Sequence, residues 1–189
     1  MNDAVARAYT DGRLRMSLVR NALFDRANTG DNTPAFCELK LVPGAGAVLH
    51  VLLKGGGSDN ASRVVMLPPG AGAPACEAWY STVCARRRPT PARRSSSGWA
   101  WAHLRQGGGA RQARPSARGG KPRRKRRGGG LEEELLAEVN ALGIGPAALG
   151  GAPTALAVHL ETAPCHIAAL PVAVNMGCCA MRSASIKFI

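Results

Sequence analysis

Apolar residues recur at roughly helical spacing through the first 26 positions: Ala4, Ala8 and Tyr9, then Leu14, Leu18 and Leu23, with Gly12 interrupting. The pattern predicts a helix over residues 1–26 that is weakest at the glycine. Asn28 to Pro34 is a dense cluster of turn-forming residues. From Phe36 to Val42 the chain alternates: Phe36, Leu39 and Leu41 against Glu38 and Lys40. After Pro43–Ala45 a second apolar run, Ala47 to Leu53, follows, so 36–53 reads as a β-hairpin. Three successive glycines, Gly55 to Gly57, come next, and the segment Val64 to Leu67 has the composition of a short strand. Pro68 to Pro74 reads as loop and Ala75 to Val83 as the start of a helix.

Periodicity fails between residues 85 and 130, where Arg-Arg-Arg, Ser-Ser-Ser, Gly-Gly-Gly and Arg-Arg-Lys-Arg-Arg follow one another. A stretch of this composition cannot bury a core and is expected to be disordered. Order resumes at Leu131. Glu132 to Leu142 predicts an amphipathic helix, with acidic residues in its first turn matching the helix dipole and Gly143 ending it. Residues 154–161 alternate as a strand, and 166–175 form an apolar segment broken at Pro171. The expected fold class is mixed α/β: a small sheet flanked by helices, interrupted by a disordered basic insert. The expected division is a first part over 1–83, the basic stretch over 84–130, and a second part of the same domain over 131–189.

A formal net charge of +13 on 189 residues draws attention to nucleic acid. Its distribution changes that picture. Fifteen Lys or Arg and no Asp or Glu lie between Cys84 and Gly130, leaving ten basic against twelve acidic residues elsewhere. The chain is a near-neutral protein carrying a basic insert. That insert would attract polyanions whatever its origin, but it lacks interleaved aromatics or a binding fold, so specific nucleic-acid recognition is not expected. With aromatics at 4%, the core must come from Val, Leu, Ala and Ile. No apolar run reaches the roughly 18 residues of a membrane span, and Met1-Asn2-Asp3-Ala4 does not open a signal peptide. The expected compartment is the cytoplasm, where the six cysteines would be thiols rather than disulfides. No Cys-x-x-Cys pair is present to hold zinc.

Four segments occur in an order that carries more information than any one alone. They are Gly12-Arg13-Leu14-Arg15-Met16-Ser17; Asn28-Thr29-Gly30-Asp31-Asn32-Thr33-Pro34; Lys54-Gly55-Gly56-Gly57-Ser58-Asp59-Asn60; and Val139 to Thr154, continuing through Pro164-Cys165-His166-Ile167-Ala168 and Pro171 to Asn175. In this order they resemble the class I fumarase and tartrate dehydratase α-type family of iron–sulfur hydro-lyases. The resemblance implies a [4Fe–4S] cluster held by three cysteines with one iron open. It also implies a dicarboxylic hydroxy-acid substrate, either fumarate hydrated to malate or tartrate dehydrated. A β-type domain or subunit would complete the active site, in a homodimer or αβ assembly. The proton-abstracting base would lie on that other part.

Carried over residue by residue, the resemblance assigns Cys178 as a cluster ligand and Arg15, Gly55, Gly56, Gly57 and His166 to the substrate pocket. A guanidinium suits a carboxylate because it pairs with both oxygens. The chain departs from the family at Cys165, usually threonine, and at Cys179 and Ser183, so residues 183–189 are expected to be an aberrant tail. The family's first cluster cysteine falls upstream of Met1. Its second, in N-A-C-P-P, belongs shortly after Val83 and is missing as written. Read from the third base of permitted codons, Pro89–Trp101 can yield N-A-C-P-P-V-V-V-G-V-G-L-G, with the cysteine spanning Pro91 and Ala92. Read from the second base, His103–Gln112 can yield T-F-D-K-A-A-A-L-A-K. Small insertions or deletions near 84–88, near 102 and before 131 would account for both.

Simpler readings stand beside these. Taken singly, Cys178 reads as a buried thiol, His166 as a core histidine, Arg15 as a surface charge and the triple glycine as a turn. Asn28–Thr33 is expected to shape a loop rather than perform chemistry. The competing reading of the whole is a non-catalytic, basic, polyanion-binding protein. With one of three thiolates in frame, the chain as written is expected to be inactive.

Overall fold

A computed structural model describes residues 1–39, 41–85, 100–106, 129–146, 149–162, 164–178 and 181–188. The chain divides into two compact units, Met1–Ala45 and Gly46–Ile189.

The first unit begins with helix α1, Asn2–Asp11. It ends there because the chain wraps back on itself: Gly12 N–H donates to the Ala8 carbonyl at 3.0 Å and Leu14 N–H to the Tyr9 carbonyl at 2.9 Å, while Arg13 takes a left-handed φ of 47°. The expected helix over 1–26 therefore stops at its weak point and does not resume. Beyond it the backbone doubles back, with Arg20 N–H donating to the Ala27 carbonyl and Thr29 N–H to that of Leu18. None of the described residues of this unit is buried. Its order comes from hydrogen bonds rather than from a core.

In the second unit the strands are β1 (Ala47–Leu53), β2 (Arg63–Leu67), β3 (Ala100–Gln106), β4 (Ala155–Thr162), β5 (Leu170–Gly177) and β6 (Arg182–Phe188). The helices are the short turn α2 (Gly56–Asp59), α3 (Gly72–Ala85) and α4 (Gly129–Ala141). A four-stranded sheet has the order β2-β5-β3-β4; β5 is antiparallel to β2 and β3, and β3 is parallel to β4. Cys76, Tyr80, Val83 and Cys84 of α3 and Leu135 and Val139 of α4 pack with Val158 and Leu160 of β4 and Val172, Val174 and Met176 of β5. The alternation along β5 puts these three on one face, as a period of two requires. Ala173 and Asn175, on the other face, are buried too.

The molecule is mixed α/β, with a small sheet flanked by helices, as its periodicity implies. Three expectations are corrected. The described residues of 36–42 form no strand, and β1 pairs instead with β6, from Ala47 opposite Phe188 to Leu53 opposite Arg182. No hairpin spans 36–53, and the segment expected as an aberrant tail is a paired strand. The basic stretch is not wholly without structure: Ala100–Gln106 lies between β4 and β5, where both neighbours offer open backbone groups. Sheet hydrogen bonding is a backbone property, so an unfavourable composition does not forbid it. The remainder of the stretch from 86 to 128, including the codons expected to hide N-A-C-P-P and the 121–127 basic run, lies outside the described residues. Pro171 does not break β5: it lies near the start of the strand, opposite Met66 of β2 and beyond the Val172–Gly177 stretch that pairs with β3.

Strand β4 is an edge of the four-stranded sheet. Its Leu160 N–H is taken up by the buried Glu132 carboxylate at 2.7 Å, from the first turn of α4. The helix thus covers the edge both by packing and by a charged hydrogen bond. Among the described residues no helix is long and apolar enough to cross a membrane.

Candidate active site

Lys54 to Asn60 leaves β1 and closes into the turn α2, with Asn60 N–H donating to the Gly56 carbonyl at 3.1 Å. A Cβ added at Gly55, Gly56 or Gly57 would meet nothing within 4 Å, and none of the three has a positive φ. Neither packing nor backbone conformation requires glycine here. What three glycines do provide is bare backbone open to an approaching group.

This turn contacts β5. The tie is Ser62, two residues past the motif and one before β2 begins. Its Oγ donates to Asn175 Oδ1 at 2.9 Å and accepts from Met176 N–H at 3.2 Å. Two residues further on, just past the end of β5, lies Cys178, buried and free. The glycine turn and Cys178 are therefore gathered at one end of the sheet.

His166 belongs to the opposite end of β5, in the exposed loop that follows β4. Its Nδ1 accepts from Ala168 N–H at 3.1 Å, which in the neutral ring places the proton on Nε2 and leaves that N–H directed outward as a donor. Neighbouring Cys165, also exposed, donates from Sγ to the Ala169 carbonyl at 3.2 Å. His159, by contrast, is fully buried in β4. Arg15 is exposed in the first unit, immediately past the cap of α1.

The second motif folds around the Arg15 segment. Asn28 Nδ2 donates to the Met16 carbonyl at 2.9 Å, and Asn32 Oδ1 accepts from the N–H groups of Ser17 and Leu18 at 2.8 and 3.1 Å. Asp31 accepts from both the N–H and the hydroxyl of Thr33. These side chains hold the backbone that carries Arg15, so the motif shapes a loop. The Thr33 hydroxyl, and then its N–H, keep the Asp31 carboxyl below the ordinary value of 3.8. A depressed folded-state pKa stabilises above the unfolded value, and that contribution is lost as pH falls through the folded one. We expect the 28–34 loop to loosen in acid below about pH 4. Thr33→Val should move the Asp31 titration, followed by carboxyl NMR shifts, back up toward 3.8; an unmoved titration would remove the hydroxyl from the account.

The fourth motif is likewise a latch. Asn140, in the last turn of α4, accepts on Oδ1 from the N–H groups of Thr154 and Ala155, both at 2.8 Å, and donates from Nδ2 to the Ala155 carbonyl at 3.2 Å. Thr154 Oγ1 in turn accepts from Gly145 N–H at 3.0 Å. Its residues fix where β4 starts.

A [4Fe–4S] cluster bound in the family manner needs three thiolates converging on one point. Among the described residues no group of three or more His, Cys, Asp or Glu side chains converges in that way. Cys178 has no second and third ligand beside it in the described set, so the described residues do not fit the cluster.

The profile of the family described as fumarate hydratase (Fumerase) matches residues 1–93 and 107–187. The match breaks inside the basic stretch, between residues 93 and 107, and resumes within it. The putative L(+)-tartrate dehydratase subunit alpha of Methanocaldococcus jannaschii is 30% identical over 194 residues, 97% of this chain and 66% of that protein. The L(+)-tartrate dehydratase subunit alpha of Escherichia coli strain UTI89 is 30% identical over 198 residues, 99% of this chain and 63% of its own length. That of E. coli O157:H7 is 30% identical over 197 residues, covering 98% and 62%. The chain thus spans a little under two thirds of the length of these relatives. Ordered motifs, a mixed α/β fold and a profile match over residues 1–93 and 107–187 agree: the chain belongs to the fumarate hydratase (Fumerase) family.

Proposed function

We propose that this chain derives from the α part of a hydro-lyase acting on a dicarboxylic hydroxy acid, by hydration of fumarate to malate or by dehydration of tartrate. The observation that carries this reading is the glycine turn. Gly55 to Gly57 are demanded by neither φ nor packing, and they lie open beside the strand that leads to Cys178. A bare backbone beside a strand that ends at a buried thiol suits a site where a small ligand must come close to the main chain. In this reading Arg15 pairs with a substrate carboxylate through its planar fork. His166 donates from Nε2 to a substrate oxygen, its tautomer set by Ala168. A β-type partner supplies the base and completes the pocket, and the assembly is cytoplasmic. With the glycine turn and His166 at opposite ends of β5, the two serve different parts of the completed site.

The single in-frame ligand also has a consequence. We read the segment between 84 and 130 as displaced coding, with the second ligand, the N-A-C-P-P cysteine, out of frame across Pro91 and Ala92. The family match is interrupted over residues 94–106, inside this segment, and that interruption is what the reading starts from. The chain as translated is then inactive. Purified chain assayed anaerobically with iron and sulfide should gain no iron–sulfur absorbance and hydrate no fumarate. Turnover by the unaltered chain would defeat the reading. Salt-sensitive DNA binding without a cluster would favour the competing basic polyanion-binding protein.

A further inference from the structure

We infer that Ser62 is a positioning residue that sets the Cys178 end of β5 against the glycine turn. The inference rests on the reading of that end of the sheet as part of the site. Pairing between β2 and β5 begins with Arg63 opposite Val174. One step further on, β2 has ended but β5 continues through Asn175, Met176 and Gly177. Met176 is 2% exposed, so its N–H lies away from water and needs a partner. Ser62 supplies it: the hydroxyl oxygen stands where the next strand carbonyl would be, accepting from Met176 N–H at 3.2 Å.

The same hydroxyl gives its proton to Asn175 Oδ1 at 2.9 Å, fixing the side chain on the opposite face of the strand from Met176. One serine therefore extends the sheet by a side-chain rung on both its donor and acceptor sides. The rung is connected through Ala61 and Asn60 to the α2 turn, whose Asn60 N–H closes on Gly56. Any displacement of the turn is passed through Ser62 to the backbone two residues before Cys178. Alanine at 62 leaves the Met176 N–H buried and unanswered on that side, and the strand end should open locally while the helical core stays shut.

The test is the rate of thiol alkylation in the full chain under native conditions, resolved by peptide mass spectrometry. Cys178 reports the strand end, and Cys76 and Cys84, buried in α3, report the core. Ser62→Ala removes both hydrogen bonds of that hydroxyl and should speed labelling of Cys178 by about tenfold or more. Cys76 and Cys84 should keep their rates. Ser62→Thr retains the hydroxyl and should label Cys178 at the original rate. Unchanged Cys178 labelling in Ser62→Ala would overturn the inference. So would a rise at all three cysteines together, or a threonine variant that behaves like alanine. Labelling does not depend on iron, so its outcome is separable from that of the cluster assay.

Discussion

Gly145→Ala should destabilise the second unit by about 3 kcal/mol or more. Two effects coincide at this position. Gly145 has a φ of +69°, which an L side chain adopts only with strain, and a Cβ there would collide with the backbone carbonyl of Gly150. The atoms met are main chain, held by the Gly150 N–H donating to the Ile144 carbonyl at 2.9 Å, so no rotamer change relieves the overlap. Relief requires moving the loop that joins α4 to β4 and, with it, the Gly145 N–H bond to Thr154. Gly143 is the control. It has a similar φ of +62° but nothing within 4 Å of a built Cβ. Gly143→Ala should cost only the conformational strain, about 1–2 kcal/mol. Urea denaturation of both variants checks this: the Gly145 midpoint should fall well below the Gly143 midpoint. Equal midpoints would mean that the loop is not packed as described.

Re-encoding the middle of the chain should have the largest effect on chemistry. On the reading proposed above, one cluster thiolate, Cys178, is in frame in the chain as translated. When codons for Pro89–Trp101 and His103–Gln112 are shifted to the alternative frames, a second cysteine enters after α3. The tested chain also carries the family's first cysteine segment, which supplies a third. We expect this re-encoded, extended chain, with its β-type partner, to acquire iron–sulfur absorbance under anaerobic reconstitution and to hydrate fumarate or dehydrate tartrate. Cys178→Ser in that background should abolish both, since two thiolates would not hold a cluster that needs three. A re-encoded chain that takes up no iron would separate the family assignment, which stands on the motifs, from the frame account.

Much of this was legible in the chain, for identifiable reasons. Strand β1, helix α4 and strands β4 and β5 follow from apolar runs and spacing, which are local properties. The reach of α1 was not legible: Leu14, Leu18 and Leu23 continue the helical stripe, but the left-handed Arg13 and the Asn28 and Asn32 side chains take the backbone elsewhere. Periodicity does not register side chains from 15 residues away competing for N–H groups. The partner of β1 was hidden for a similar reason. Residues 36–42 alternate well and lie nearby, whereas Arg182–Phe188 is separated by more than a hundred positions and looks like a tail. Strand β3 was masked by a composition that argues against order. At the site, the triple glycine and Cys178 stood out because they fall within recognisable motifs. Ser62 did not: a lone serine outside any motif gives no sign that it completes a ladder across the sheet.

We propose that a Fumerase-family chain has been interrupted by displaced coding between residues 84 and 130. The most direct measurement is the nucleotide sequence of the coding DNA across codons 80–135, read on both strands from the source material. The account predicts that N-A-C-P-P-V-V-V-G-V-G-L-G is spelled in an alternative frame over Pro89–Trp101, with frame changes near 84–88, near 102 and before 131. Codons that cannot encode that segment in any frame would contradict it.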